Sequence, residues 1–159
     1  EEKMEKRQKI KASELKSHLG YHLRVISNAV SHSFARKLQA CDVTVAEWVI
    51  LREMYARDET NSPSVVAEFT GLTRGAVSKL IERLLHKNLV VRAGAVEDRR
   101  YQEIKLTTSA VKLVPQLAGI ADDNDAGFFS VLSQSERKNL MNTLLKLAEF
   151  HQLNTKPIK

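Results

Sequence analysis

The stretch LTRGAVSKLIERLLHKNLVVRAGAVEDRRYQEIKLT, residues 72–107, decides the fold of this 159-residue chain. In its first half, apolar residues recur at spacings of three and four, as they do on one face of an amphipathic helix. This helix runs from Arg74 to about His86. Its opposite face carries mostly polar and basic residues: Arg74, Gly75, Ser78, Lys79, Glu82 and Arg83. The pattern predicts a helix that buries one face and presents a cationic one.

The second half of the stretch predicts a ribbon of two strands. Asn88 ends the helix, and residues 89–92 form the first strand. Residues 101–106 form its partner, because they alternate between apolar and polar as a half-buried strand does. The polar loop 94–100 joins the two strands and ends in a charged tip. A ribbon of this kind directly after a helix with a basic outer face is a wing.

Capping signals place the helices that precede this stretch. Thr44 and Glu47 fit a capping box, in which each side chain bonds the backbone N–H of the other residue. Residues 61–64, NSPS, supply a cap candidate and a proline that suits a first helical turn. Gly71 can close this short helix in the left-handed conformation, and Thr73 can cap the next one. Two helices joined by a glycine turn indicate a helix-turn-helix.

Further helices flank this lobe on both sides. Apolar residues at helical spacing predict one long helix from Leu15 to Leu38. After the wing, Thr107 or Thr108 begins another helix, which Pro115 should kink because proline lacks an N–H. A second capping box, residues 133–136, precedes a last helix with a broad apolar face.

The same periodicity predicts which residues form the core. The helix that follows Thr44 is expected to bury Val45, Trp48, Val49 and Leu51 or Tyr55. The helix that follows the wing is expected to place these residues on one side: Val111, Val114, Leu117, Ile120 and Ala121.

The predicted fold is therefore mainly α with a small two- or three-stranded β wing. Residues 44–107 form a winged helix-turn-helix lobe, and residues 13–40 and 108–155 supply flanking helices. These helices offer more apolar surface than one small core uses, which predicts a dimer. Two copies would place their basic helices about 34 Å apart, one turn of DNA. The alternative is that the flanking helices cover the core of their own subunit.

Composition and charge narrow the function classes. The net charge is +6, and residues 72–105 carry eight basic against four acidic side chains. Basic charge gathered on one supersecondary unit favours a polyanion, and nucleic acid over an anionic membrane surface. The single Cys41 and the lack of a signal peptide predict a cytoplasmic protein. Its apolar runs are too short to span a bilayer.

The basic helix has the residues to read DNA. Residues on its outward face, near its N-terminal half, reach base edges when such a helix enters the major groove. Arg74, Ser78 and Lys79 hold these positions, and Gly75 lets the backbone approach the phosphates. Glu82 and Arg83 are expected to pair with neighbours or to steady a phosphate. The alternative is an ordinary solvated helix face.

The wing tip is predicted to contact the minor groove. An arginine at the tip of a ribbon enters this groove when its side chain is held in line. Asp98 can hold Arg100 through a charge-assisted hydrogen bond. The alternative is a surface ion pair worth at most about 1 kcal/mol.

These features together resemble the MarR (multiple antibiotic resistance regulator) family. Residues 72–107 look like its winged helix-turn-helix core, including the D-x-R wing signature at Asp98, Arg99 and Arg100. The segments LGYHLRVISNAVSHSFARKLQ (19–39) and VTVAEWVILREMY (43–55) are similar to its first two helices. Where the family often has a glycine, this chain has residues 108–110, TSA.

The resemblance implies a homodimer that binds a pseudo-palindromic operator in double-stranded DNA and usually represses transcription. It also implies that Ser78 and Lys79 match base-contacting positions and that Arg100 matches the minor-groove arginine. The complete set of predicted DNA-binding residues is Thr73, Arg74, Gly75, Ser78, Lys79, Arg83, Asp98, Arg99 and Arg100.

The resemblance further implies release by a small aromatic or anionic effector. His22 and Trp48 are candidates to border an effector cleft between the first two helices, although Trp48 also suits the core. His18 and His22 lie one turn apart, but no carboxylate or cysteine at a telling spacing joins them, so we expect surface histidines and no metal. Cys41 lacks a resolving partner and is expected to be inert.

No cofactor is expected, and no catalytic constellation stands at a recognisable spacing, which argues against an enzyme. The main rival hypothesis is a winged-helix module that contacts an acidic protein inside a transcription complex. Steep salt dependence of binding to duplex DNA would separate the two hypotheses.

Overall fold

The computed structural model describes residues 10–57, 60–93 and 103–153. Within these ranges a short 3₁₀ turn, Leu15–Ser17, precedes helices and strands in the following order: α1 Leu19–Gln39, α2 Val45–Arg57, α3 Pro63–Thr70, α4 Arg74–His86, β1 Val90–Ala93, β2 Glu103–Leu106, α5 Thr108–Phe128 and α6 Gln134–Phe150. This order confirms the predicted mainly α fold, in which α3 and α4 form a helix-turn-helix followed by a wing.

The helix ends follow the capping chemistry that the sequence predicted. Glu47 N donates to Thr44 Oγ1 at 3.2 Å, and Thr44 N donates to Glu47 Oε1 at 3.3 Å. Gly71 closes α3 with φ of 80°, in the left-handed region that favours glycine. The Thr73 side chain caps α4, and Asn88 ends it with φ of 57°. These local choices fix where each helix of the winged helix-turn-helix lobe begins and ends.

The wing is an antiparallel pair in which Val90 lies opposite Leu106. Ile104 also exchanges both backbone hydrogen bonds with Asn61, at 2.8 and 2.9 Å. The segment before α3 therefore joins the base of the wing to the helix-turn-helix as a third, single-bridge member of the ribbon. The fully buried Ile104 anchors β2 in the core.

The core lies where the buried faces of α2, α4 and α5 meet. Burial of this apolar surface is the main favourable term in folding. Its completely or almost completely buried members include Leu38, Ile50, Leu51, Met54, Val66, Val77, Leu84, Val90, Ile104, Val114 and Leu117.

The core prediction for α2 was right in part. Val49 and Leu51 are buried, and Val45 and Trp48 are partly buried against the core. The prediction missed Ile50 and Met54, which are fully buried. The reason is that α2 contacts α1, α3, α4, α5 and β2, so it is covered on more than one side. A helix covered in this way does not show one clean apolar stripe.

The flanking helices differ from the predictions at their ends. The first helix begins at Leu19 because His18 is extended and separates it from the preceding 3₁₀ turn. Thr107 caps α5, which continues through Pro115 without a break. Val111 is exposed, contrary to the prediction that it faces the core, and Ala110 is buried in its place.

A polar contact joins α5 to α1. Ser33 Oγ donates a hydrogen bond of 2.7 Å to Asn124 Oδ1, and Asn124 Nδ2 donates to the Val30 carbonyl at 3.3 Å. The buried Asn124 is thereby satisfied, as buried polar groups usually are. Among the helices that the structure describes, none is both long and apolar enough to cross a membrane.

Candidate DNA-binding interface

The outward face of α4 carries the predicted contact residues. Val77, Leu80, Ile81 and Leu84 point into the core. The opposite side is exposed along the helix, from the cap residue through its N-terminal half: Thr73, Arg74, Gly75, Ser78 and Lys79. The sequence periodicity therefore placed these five residues on one accessible surface, which has the shape and charge to enter a major groove.

The N-terminal end of α4 is fixed to the preceding helix. Thr73 Oγ1 accepts from the backbone N–H of Ala76 at 3.2 Å, so this hydroxyl serves the cap. Arg74 Nη2 donates to Ser64 Oγ, which links α4 to α3. A Cβ built on Gly75 would meet nothing within 4 Å. Packing among the residues that the structure describes therefore gives no reason for glycine at that position.

Two exposed residues of α4, one turn after Ser78 and Lys79, form ion pairs with neighbouring elements. Glu82 lies one turn after Ser78, and its Oε1 accepts from Arg92 Nη2 of β1 at 2.7 Å. Arg83 lies one turn after Lys79, and its Nη2 is 2.6 Å from Glu47 Oε1 of α2. One stripe is thus tied to the wing and the other to α2. The predicted DNA-binding residue Arg83 has an internal partner, although 48% of its side chain is exposed.

The partner of Arg83 is a buried carboxylate, Glu47 of α2. Glu47 is 0% exposed, and its Oε2 lies 3.0 Å from Lys87 Nζ. Lys87 Nζ also donates to the Asp42 carbonyl at 2.6 Å. Burial raises the pKa of Glu47, but hydrogen bonds from Lys87, Thr44 and Arg83 outweigh it and hold this pKa below its usual value.

Sequence reasoning found the capping role of Glu47 and missed its partners. The capping box is visible because its two members are three residues apart. Arg83 and Lys87 follow 36 and 40 residues later in the chain. The expectation that Glu82 and Arg83 pair with neighbours is confirmed, but the sequence did not show that the partner of Arg83 is Glu47.

The base of the wing adds two cationic side chains, of which Arg92 contacts Glu82 of α4. Arg92 on β1 and Lys105 on β2 are both exposed. Asp98, Arg99 and Arg100 lie outside the described residues, so the minor-groove role of Arg100 stays a prediction.

The structure does not bring the two effector-cleft candidates together. The exposed His22 has its Nε2 2.7 Å from the Lys16 carbonyl. Trp48 is partly buried and packs edge-to-face on Phe34, with ring centroids 6.2 Å apart. Phe34 lies about 18 Å further along α1 than His22, from the helical rise per residue. One protomer therefore does not join these side chains in one cleft.

A groove lies elsewhere, between the C-terminal half of α1 and the start of α2. Its volume is about 560 Å³, and it is lined by His32, Ala35, Arg36, Gln39, Val43, Thr44 and Val45.

The other histidine considered for metal binding, His18, has its Nδ1 3.2 Å from the Leu15 carbonyl. The described ranges contain no group of three or more His, Cys, Asp or Glu side chains placed to hold a metal ion.

Comparisons with known proteins agree with this geometry. The model of the MarR family matches residues 42–100. The HTH-type transcriptional regulator SarZ of Staphylococcus haemolyticus (strain JCSC1435) is 30% identical over 135 residues, which are 85% of this chain and 90% of that protein.

Solved structures share the fold. MepR of Staphylococcus aureus in its DNA complex has a TM-score of 0.69 and 29% identity, over 83% of this chain and 97% of that one. The reduced form of MarR from E. coli has a TM-score of 0.71 at 21% identity, over 82% and 96% of the two chains. MepR regulates transcription of the multidrug efflux pump MepA.

Proposed function

This chain belongs to the MarR family of transcriptional regulators, which bind DNA, and we propose that it is a sequence-specific repressor of double-stranded DNA sites. The observation that carries the proposal is the division of α4 into a buried apolar face and an exposed face with Arg74, Ser78 and Lys79. Such a helix enters the major groove and reads base edges from its N-terminal half.

The contacts divide by chemistry. Lys79 donates to guanine O6 and N7, and Ser78 bonds the edge of an adjacent base. Arg74 and the backbone at Gly75 meet phosphates, and these contacts set the register without reading sequence. We propose that Arg100, at the predicted tip of the wing, enters the adjacent minor groove, where the potential is most negative.

We propose that the DNA-binding species is a homodimer. No residue of α6 is buried, and its apolar side chains are exposed by 38% or more at Leu140, Met141, Leu144, Leu145, Leu147 and Phe150. At its start α1 adds Leu19, Leu23 and Ile26, exposed by 46% or more. Exposed apolar side chains in this number mark an interface. A symmetric pair of α4 helices would then meet the two halves of a pseudo-palindromic operator.

We further propose that a small aromatic or anionic effector releases the repressor. His22 and Trp48 are far apart in one protomer, so a cleft that contains both would need the second copy of the chain. The groove lined by His32 and Arg36 offers a separate place for an anionic ligand. A thermal-shift screen of aromatic acids, followed by release of bound DNA, tests this part.

Selection from random duplex DNA by the full chain tests the main proposal. We expect a pseudo-palindromic consensus, and log K should fall with log salt by about 0.9 for each phosphate neutralised. A promoter that carries the selected site should be transcribed less in vitro when the protein is present. Recovery of no consensus, with a shallow salt slope, would favour the protein-interaction module instead.

A further inference from the structure

The C-terminal half of α4 is held by a buried negative charge on another helix. We infer that Glu47 is a positioning residue for DNA recognition, which acts through Arg83 and Lys87 to set how α4 presents Ser78 and Lys79. This inference rests on the proposed function and deepens it.

Glu47 is more deeply buried than its role in the capping box requires. The chain contains a second capping box, in which Glu136 Oε1 accepts from Ser133 N at 3.0 Å while the side chain stays exposed. A carboxylate taken fully out of water loses its hydration, and only well-placed partners offset that loss. Glu47 Oε1 has such partners: Arg83 Nη2 of α4 donates to it at 2.6 Å, and Nζ of Lys87, the residue that follows α4, donates to it at 3.2 Å. The buried charge therefore serves the contact between α2 and α4.

Directional contacts fix the rotation of α4, which apolar packing alone does not fix. The buried leucines and valines of α4 attract the core without a preferred direction. Charge-assisted hydrogen bonds to Glu47 instead require a particular rotation of α4 about its axis. The Lys87 bond to the Asp42 carbonyl, 2.6 Å long, also limits sliding along that axis.

The spacing connects this anchor to the reading residues. Lys79, Arg83 and Lys87 follow one another at intervals of four and share one stripe of the helix. Lys79 is exposed at the end that meets DNA, and the other two turn to Glu47. If α4 rotates about its axis relative to α2, Lys79 turns in the same direction as Arg83, because both lie on the same stripe of the helix.

The variant Glu47→Gln separates positioning from capping. Glutamine keeps the acceptor for Thr44 N and serves in capping boxes, but it removes the charge that binds Arg83 and Lys87. We expect the ratio of affinities for the selected duplex and a scrambled duplex to fall about tenfold, the equivalent of one lost base contact. Affinity for the scrambled duplex should be kept or raised, because the released cations can then meet phosphates.

The test uses the full chain, the duplex selected by the wild type and its scrambled version, at a temperature where every variant is folded. Glu136→Gln is the matched control, since it makes the same change in an exposed capping box, and its ratio should equal that of the wild type. Arg83→Gln should lower the ratio as Glu47→Gln does, and the double variant should lower it no further. This non-additivity supports action through Arg83.

Other outcomes overturn the inference. An unchanged ratio in Glu47→Gln, or an equal loss of affinity for both duplexes, would show that Glu47 only stabilises the fold. If Glu47→Gln does not fold, the half-exposed Arg83 carries the test, and an unchanged ratio in Arg83→Gln refutes positioning. Failure of the wild type to select any duplex overturns the proposed function itself, which is a different result from selection that is insensitive to Glu47.

Discussion

Arg92 Nη2 of β1 lies 2.7 Å from Glu82 Oε1 of α4 and connects the wing to that helix. Both side chains are substantially exposed, at 46% and 68%. A pair in this setting contributes at most about 1 kcal/mol to stability. We therefore expect its main effect to be on the angle between α4 and the wing, the two elements that are proposed to meet neighbouring grooves.

We predict that Glu82→Gln changes DNA binding more than it changes folding. The free energy of unfolding, measured in urea, should fall by less than about 1 kcal/mol. Affinity for the selected duplex should fall several-fold in gel-shift titrations, because the wing is less well oriented. A loss of stability with unchanged affinity would contradict this role for the pair.

Gly75→Ala should separate stability from DNA contact. A Cβ at this helical position meets nothing within 4 Å among the described residues, and alanine favours the helix over glycine by about 0.5–1 kcal/mol. Urea denaturation should therefore show a more stable protein, while affinity for duplex DNA decreases because the methyl group stands between backbone and phosphate. Equal or higher DNA affinity would show that α4 does not approach the duplex at Gly75.

Side-chain truncation on α4 and at the wing tip should have different signatures. Ser78→Ala combined with Lys79→Ala should erode discrimination between the selected and scrambled duplexes, because these residues read base edges. Arg100→Ala should weaken binding broadly across sequences. Equal operator affinity in the wild type and all of these variants would refute the contact assignment.

Acid should weaken the fold partly through Glu47. Its pKa in the folded protein lies below the unfolded value of 4.5, so the unfolded state binds more protons in that range. The contribution of Glu47 to stability is present above pH 4.5 and is lost as the pH falls through the lower folded pKa. Urea denaturation from pH 7 to 3 should show a shallower decline for Glu47→Gln. An identical decline would mean that Glu47 titrates alike in both states.

The features that could be predicted from the sequence are those set by nearby residues. The caps at Thr44, Thr73 and Ser133 depend on partners three residues away, and Gly71 depends on its own φ. The exposed face of α4 follows from periodicity, because that helix is buried on one side only. Local chemistry thus gave the helix-turn-helix and the outward residues of the candidate interface.

Other features depend on which elements meet in three dimensions. The burial of Ile50 and Met54 follows from the position of α2 among five neighbouring elements. The same position places Glu47 beside Arg83, a pairing that periodicity does not encode. The separation of His22 from Trp48 likewise follows from where α2 crosses α1. Residues that act across helices therefore required the fold.

The exposed apolar stripe of α6 gives the prediction that bears most directly on operator binding. Met141 and Leu145 lie one turn apart and are exposed by 57% and 55%. Glutamate at both positions should leave the monomer folded, since neither side chain is buried, but would place charges inside a dimer interface. Sedimentation velocity should show monomers for this double variant and dimers for the wild type.

The monomeric variant should also bind DNA in a different way. One recognition helix without its symmetric partner contacts a single half-site, so affinity for the full pseudo-palindrome should fall to that for a half-site. Val65→Glu, which introduces the same charge at an exposed valine of α3, is the control and should stay dimeric. Dimers of unchanged affinity in the α6 double variant would place the interface elsewhere. If the wild type is monomeric and binds the pseudo-palindrome tightly, operator binding does not require a dimer.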